Sequence, residues 1–186
     1  MRPPGADTPR VFFAVWPDAD ACALLASLAR DCAARTGGRA ALSSNLHLTL
    51  AFVGEVERSR VATLQAIGLA ACAAAAPFTL TLDRVGAFRK AGIAWVGASV
   101  LPPQLERVVR ALNGELSCGG FPTERRPFQP HVTLARRCRK AASVELAAPI
   151  AWRVGRVVLN VSEPLRGGVR YRALAEWPLE GPGAER

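Results

Sequence analysis

Histidine is nearly absent from this chain, with two in 186 residues. Tyrosine and methionine occur once each, and lysine only at Lys90 and Lys140. Each scarcity excludes something. A metal centre needs three or four ligands, so two histidines could build one only with help from carboxylates, and none lies inside either histidine motif. No metal or other cofactor is expected. The five cysteines, Cys22, Cys32, Cys72, Cys118 and Cys138, are odd in number, and no two form a C-x-x-C. That argues against a disulfide framework and against zinc, and points to a reducing cytoplasm with cysteine used as a small core residue. The Ala-rich run Ala66 to Ala76 is too short to span a bilayer, and residues 1–9 lack the apolar core of a signal peptide.

Acidic residues are also in short supply: 15 Asp and Glu stand against 24 Lys and Arg, a net charge of +9. An excess carried by arginine favours an anionic partner, because guanidinium forks match phosphate and counterion release drives association. Composition bias from a GC-rich genome accounts for such an excess equally well. Half the residues are hydrophobic and 21% are charged, the profile of a soluble globular protein. The length fits a single domain over 1–186, built as two small lobes on a shared core, with flexible ends at about 1–9 and 180–186. A monomer is expected, since no helix carries a surplus apolar face.

The pattern of elements is mixed. Arg10 to Trp16 reads as a strand ended by Pro17, and Asp18 caps a helix running to about Arg35 before Gly37-Gly38. Leu46 to Val53 reads as a strand, Val56 to Ala76 as a helix, Phe78 to Asp83 and Ile93 to Val100 as strands. Pro102-Pro103 opens a helix whose apolar stripe is Leu105, Val108, Val109, Leu112 and Leu116. Strands follow at His131 to Ala135, Val154 to Val161 and Val169 to Leu174, the last two joined by Gly167-Gly168. Strands do not alternate strictly with helices, so the class is α+β.

Both histidines sit in the same tetrad. His47-Leu48-Thr49-Leu50-Ala51 and His131-Val132-Thr133-Leu134-Ala135 each lie on an expected strand that follows a helix. Duplicated lobes facing one another would result. On a strand, residues i and i+2 share a face, so His47 points with Thr49 and His131 with Thr133, while the leucines and the valine point into a core. Imidazole titrates near neutrality and a threonine hydroxyl can donate to a phosphate oxygen. Two such pairs around one phosphate supply an acid, a base and two oxygen-binding groups, enough for in-line displacement without a metal. Satisfied strand histidines are the plainer explanation of one such motif, but a poor one of two.

These tetrads resemble those of the two-histidine phosphoesterases, and with their flanks they are similar to the RNA 2′,3′-cyclic phosphodiesterase family, also called 2′-5′ RNA ligases. The likeness covers Arg10 to Ala14, Asn45 to Gly54, Phe128 to Arg136 and Leu159 to Tyr171. It implies a bilobal α+β fold with two pseudo-symmetric lobes of antiparallel sheet, outer helices and a central cleft. It implies an RNA with a 2′,3′-cyclic phosphate end as substrate, such as a tRNA fragment, and a 2′-phosphate as product. His47 would protonate the leaving 3′ oxygen, His131 would activate water, and Thr49 and Thr133 would bind the non-bridging oxygens. The residues themselves do not distinguish the histidines' roles.

Arg136 matches an arginine that closes the second motif, yet i+5 from His131 falls on the opposite strand face unless a bulge or strand end returns it. Phe52 stands at the equivalent place in the first motif and reads as core. Arg10 is a candidate to reach the cleft from the opening strand. Ser162-Glu163-Pro164-Leu165 carries one residue more than the family's Ser-x-Leu, and Pro164 should shorten strand pairing there. Basic clusters at Arg84, Arg89 and Lys90, and at Arg125, Arg126, Arg136, Arg137, Arg139 and Lys140, are candidates to track an RNA backbone, with Phe88, Trp95 and Phe128 to stack a base. Three other readings stay open: a small cyclic nucleotide or ADP-ribose cyclic phosphate as substrate, 2′-5′ RNA end joining, and RNA binding without catalysis.

Overall fold

The computed structural model describes residues 8–124, 126–140, 146, 148–166 and 168–181. Most of the two ends expected to be flexible, together with Arg125 and Gly167, lies outside the described residues. The described chain forms β1 (Arg10–Val15), α1 (Ala19–Thr36), β2 (Arg39–Ala40), β3 (Leu48–Glu55), α2 (Val61–Cys72), β4 (Phe78–Leu82), β5 (Arg84–Phe88), β6 (Ile93–Gly97), α3 (Pro103–Cys118), β7 (His131–Arg136), β8 (Ile150–Val154), β9 (Arg156–Leu165) and β10 (Gly168–Pro178). The main sheet runs β10-β9-β1-β3-β7-β6-β5 with β2 paired to β7, and β4 pairs with β8 apart from it. All these pairings are antiparallel, which makes the fold α+β.

The duplication hinted at by the two tetrads is a duplicated unit. β1-α1-β3 and β6-α3-β7 each consist of a strand, a helix and a motif strand that pairs back antiparallel on the first. The two units meet where β3 and β7 share a single residue pair, Leu48 with Val132. The helices then cross over: α1 packs behind β7 and α3 behind β3, so each motif strand is backed by the other unit's helix. Leu48, Leu50, Val132 and Leu134 fill that core and are buried, each contributing about 1.5–3 kcal/mol of burial.

Local chemistry sets the helix ends. The Asp18 carboxylate accepts from the Ala21 amide at 2.8 Å, and Gly37 takes the left-handed conformation at φ 65° to close α1. α3 begins at Pro103 and buries its whole expected stripe. The second helix is shorter than its alanine content suggests. It spans Val61–Cys72, with a 3-10 turn at Arg58–Arg60 before it and a turn at Cys72–Ala75 after it that separates the helix from Pro77. Of the five cysteines only Cys32 and Cys72 lie in the core, where burial pushes their thiols up to about 11 and about 12, while Cys118 is exposed. No helix among the described residues is long and apolar enough to cross a membrane.

Three strands escape the sequence reading. β2 has two residues, β8 is read as loop until Val154, and β5 contains Gly86, a poor strand former. Gly86 is kept small by its neighbour, since a Cβ there would stand 2.2 Å from the Trp95 ring. The expectation for Pro164 is also corrected. Strand β9 continues through it to Leu165, with Val169 opposite Pro164. The inner neighbour β1 has already ended, its Arg10 facing Ser162, so beyond Ser162 β9 has a neighbour on one side only and a missing N–H is tolerated there.

Gly68 seats α2 on the sheet, where a Cβ would lie 2.3 Å from the buried Trp177 ring. Alanine is intrinsically the better helix former, but overpacking here should dominate, and Gly68→Ala is expected to lower stability by about 1–3 kcal/mol. A denaturant midpoint that rises instead would show that the ring yields freely.

Candidate active site

The Leu48–Val132 pair decides where the histidines stand. His47 immediately precedes β3 and His131 opens β7. In an antiparallel pair the neighbours on either side face each other, which sets His47 beside Thr133 and Thr49 beside His131. All four line one open cavity of about 900 Å³. The histidines are anchored alike. His47 Nδ1–H donates to the Asn45 carbonyl at 2.8 Å, and His131 Nδ1–H donates to the Gln129 carbonyl at 2.9 Å. A carbonyl can only accept, so Nδ1 carries the proton in both and each Nε2 is left as the proton-exchanging atom. The Asn45 side chain in turn donates to the Val169 carbonyl at 2.9 Å, tying the first anchor to β10.

Arg136 reaches the same cavity for a reason the sequence only posed as a question. On β7 the pairing with β6 steps from Thr133 opposite Trp95 to Ala135 opposite Ala94, leaving Leu134 as an extra residue. Leu134 and Ala135 are then both buried, and the alternation resumes with Arg136 on the histidine face. The identical bulge sits in β3, where Thr49 pairs with Ala14 and Ala51 with Phe13, skipping Leu50. It turns Phe52 to the cavity, 54% exposed. Reading Phe52 as core was therefore wrong: a one-residue bulge reverses every side chain after it. Arg10 does reach the cavity, with its guanidinium 5.4 Å above the Phe52 ring.

The surroundings of the two imidazoles differ. Phe12, Trp16 and Tyr171 enclose His47 with ring centroids at 5.1, 5.0 and 5.0 Å. His131 meets Phe88 edge-on at 5.1 Å and Trp95 at 6.3 Å. Burial pushes His47 down to about 4, against the Asn45 carbonyl, which favours the protonated ring; the positive charges of Arg136 and His131 lower it further. The two histidines and Arg136 thus sense one another electrostatically.

Among the described residues no Asp or Glu lines the cavity, whereas four arginines do: Arg10, Arg39, Arg136 and Arg137. Of the basic residues singled out in the sequence, Arg84, Arg89, Lys90, Arg126, Arg139 and Lys140 are not in its lining. Arg84 lies over the Trp95 ring and Arg126 pairs with Glu124. Phe88 and Trp95 support His131, and Phe128 packs against the core. Sequence reasoning missed Arg39, Phe12 and Trp16 as cavity or histidine neighbours. Tyr171 was quoted in the terminal motif without a role, and its place beside His47 supplies one.

Residues 14–163 match the model of the 2′-5′ RNA ligase superfamily. An RNA 2′,3′-cyclic phosphodiesterase of Escherichia coli K12 is 34% identical over 144 residues, 76% of this chain and 80% of that protein. One of Thermus thermophilus with the same name is 30% identical over 181 residues, 92% of this chain and 91% of that protein. The crystal structure of E. coli LigT complexed with 3′-AMP superposes with a TM-score of 0.84 at 30% identity, covering 93% of this chain and 99% of that one. A cleft with paired histidine motifs, the α+β fold and similarity over most of the chain lead to one conclusion: the protein belongs to the 2′-5′ RNA ligase superfamily.

Proposed function

We propose that this protein is an RNA 2′,3′-cyclic phosphodiesterase, hydrolysing a cyclic phosphate end to a 2′-phosphate by acid/base chemistry of His47 and His131 without a metal. The observation that carries this reading is the pair of identically anchored imidazoles, each beside a threonine, in one arginine-lined cavity. The names of the relatives support the substrate class. Among the described residues no three His, Cys, Asp or Glu side chains are grouped to hold a metal ion.

The chemistry follows from the geometry. The cyclic phosphate lies between the two Nε2 atoms, with its non-bridging oxygens toward Thr49, Thr133 and Arg136. His131 Nε2 takes a proton from water as the water oxygen bonds to phosphorus. The P–O3′ bond breaks in line, and His47 Nε2 delivers its proton to O3′, leaving the phosphate on O2′. For that role His47 must be protonated although burial disfavours it in the free protein. An entering phosphodiester anion reverses the balance, since it neutralises Arg136 and places negative charge beside the ring. Protonation of His47 is thereby coupled to having substrate in place.

The deciding assay uses a short RNA ending in a 2′,3′-cyclic phosphate, with excess chelator, and separates 2′- from 3′-phosphate products. Wild type should give the 2′-phosphate at an undiminished rate, and His47→Ala and His131→Ala should each lose at least about a hundredfold in kcat. Near-wild-type turnover by either variant, or loss of activity to chelator, would sink the mechanism.

The pH dependence has a definite sign. When both imidazoles are protonated no base remains, so kcat/KM, which reports the free enzyme, should fall on the acid side through the His47 value of about 4. In kcat the same limb should move to higher pH, because bound phosphate favours the protonated ring. A shared acid limb near the ordinary histidine value in both profiles contradicts the coupling.

Phe52, exposed in the cavity lining beneath the Arg10 guanidinium, offers a flat face on which a base could stack. Stacking on such a ring is worth roughly 1–3 kcal/mol, so Phe52→Ala should lower kcat/KM by about tenfold. Steady-state kinetics of that variant on the same RNA checks it, and an unchanged value would leave Phe52 without a part in binding.

A further inference from the structure

We propose that Arg39 and Arg137 form a second phosphate subsite, which takes the phosphate on the 5′ side of the terminal nucleotide and makes this protein selective for RNA ends over free cyclic nucleosides. This rests on the cyclic phosphodiesterase reading above and names what else that cleft must hold.

The arginines are assembled against electrostatic preference. Arg39 is the direct cross-strand partner of Arg136, and Arg137 follows in the chain. Like charges opposite one another weaken a sheet. Some arginines elsewhere on the surface are paired: Arg110 with Glu106, Arg156 with Glu176, and Arg170 and Arg172 with Glu163. Arg39, Arg136 and Arg137 have no carboxylate partner among the described residues. Arg137 also holds the left-handed conformation at φ 56°, alone among the described non-glycine residues, a conformation that costs free energy in a side-chain-bearing residue. Its loop is pinned there. The Cys138 amide donates to the Gly92 carbonyl at 2.9 Å, and the Arg139 and Lys140 amides donate to the Thr36 carbonyl at 2.9 and 3.2 Å. An anion between these side chains would offset both the repulsion and the strain.

Topology says which phosphate it would be. From the Leu48–Val132 pair, β3 runs one way to Phe52 and β7 runs the opposite way to Arg136, where β2 brings Arg39. The cleft therefore has one end with Phe52 beneath a single arginine, Arg10, and another where Arg39, Arg136 and Arg137 cluster, with the histidines between them. A ribose 2′,3′-cyclic phosphate has the same layout. Its C2′–C3′ edge carries the reacting phosphate, C1′ carries the base on one flank, and C4′ carries the C5′ methylene with its 5′ oxygen on the other. With the reacting phosphate at the histidines and the base toward Phe52, the 5′ phosphate points toward Arg39 and Arg137. Both arginines are exposed, so their substitution should leave the fold intact.

The test compares four substrates: adenosine 2′,3′-cyclic phosphate, its 5′-phosphorylated form, the dinucleotide with a natural phosphodiester, and the same dinucleotide with a neutral methylphosphonate link. For wild type the 5′ phosphate and the diester should each raise kcat/KM by about tenfold or more, and the methylphosphonate should not, as expected of charge-assisted contacts. In Arg39→Ala combined with Arg137→Asn, where asparagine tolerates the left-handed turn, the advantage should collapse to near one. An unmodified ratio in the double variant, a wild type indifferent to the 5′ charge, or a gain from the methylphosphonate equal to that of the diester overturns the subsite. Should wild type turn over none of the four, the functional reading fails. Calorimetry with adenosine 2′-phosphate and adenosine 2′,5′-bisphosphate then reads the subsite by itself: tighter binding of the bisphosphate that the double variant abolishes supports it, and equal binding of the two by wild type refutes it.

Discussion

One backbone pairing between two half-sheets, Leu48 with Val132, holds the site together. Everything chemical is measured from it. The residues on either side are the histidines and threonines, so a single ladder contact brings two distant tetrads within reach of one phosphate. A longer ladder would leave less of a cleft, and no ladder would leave the histidines on independent sheets. The crossing of α1 to β7 and α3 to β3 gives that contact its rigidity. Each motif strand is buried from behind by the other unit's helix, so separating the halves would expose both cores at once.

The pseudo-symmetry is close in the backbone and broken in the environment. Both imidazoles are fixed through Nδ1 to a carbonyl two residues earlier, and both strands bulge after the threonine. The difference lies in what encloses the rings. Three aromatic side chains around His47 remove water from it, and the neighbouring Arg136 adds like charge. A symmetric scaffold thereby holds two chemically unequal histidines, as the proposed acid/base reaction would require. The bulges complete the asymmetry, delivering an aromatic side chain to one end of the cleft and a guanidinium to the other.

Much of this was legible in the chain. Capping by Asp18, the Gly37 stop, the apolar stripe of α3 and the alternation of β4 are local signals, and the structure repeats them. The errors were equally instructive. Alanine content carried α2 up to Pro77, whereas the helix already stops at Cys72 in a turn that propensity does not reveal. Pro164 was expected to shorten a ladder because a one-dimensional reading does not know that β1 has already stopped. Gly86 hid β5, since its smallness serves the Trp95 ring and not the strand.

By itself the sequence determined which groups the proposed chemistry would use: two histidines, each with a threonine two residues on, mounted on strands with apolar backs. Those relations span a few residues, and strand periodicity alone dictates them. Tertiary structure decided what the tetrads face and what surrounds them. Arg39, Phe12, Trp16 and Tyr171 come to the site from other strands and loops, and no local pattern encodes their arrival. Phe52 and Arg136 show where the division falls. Their identity is written in the motif, but their direction depends on one extra residue in each strand, and a bulge is set by how a strand pairs with its neighbour.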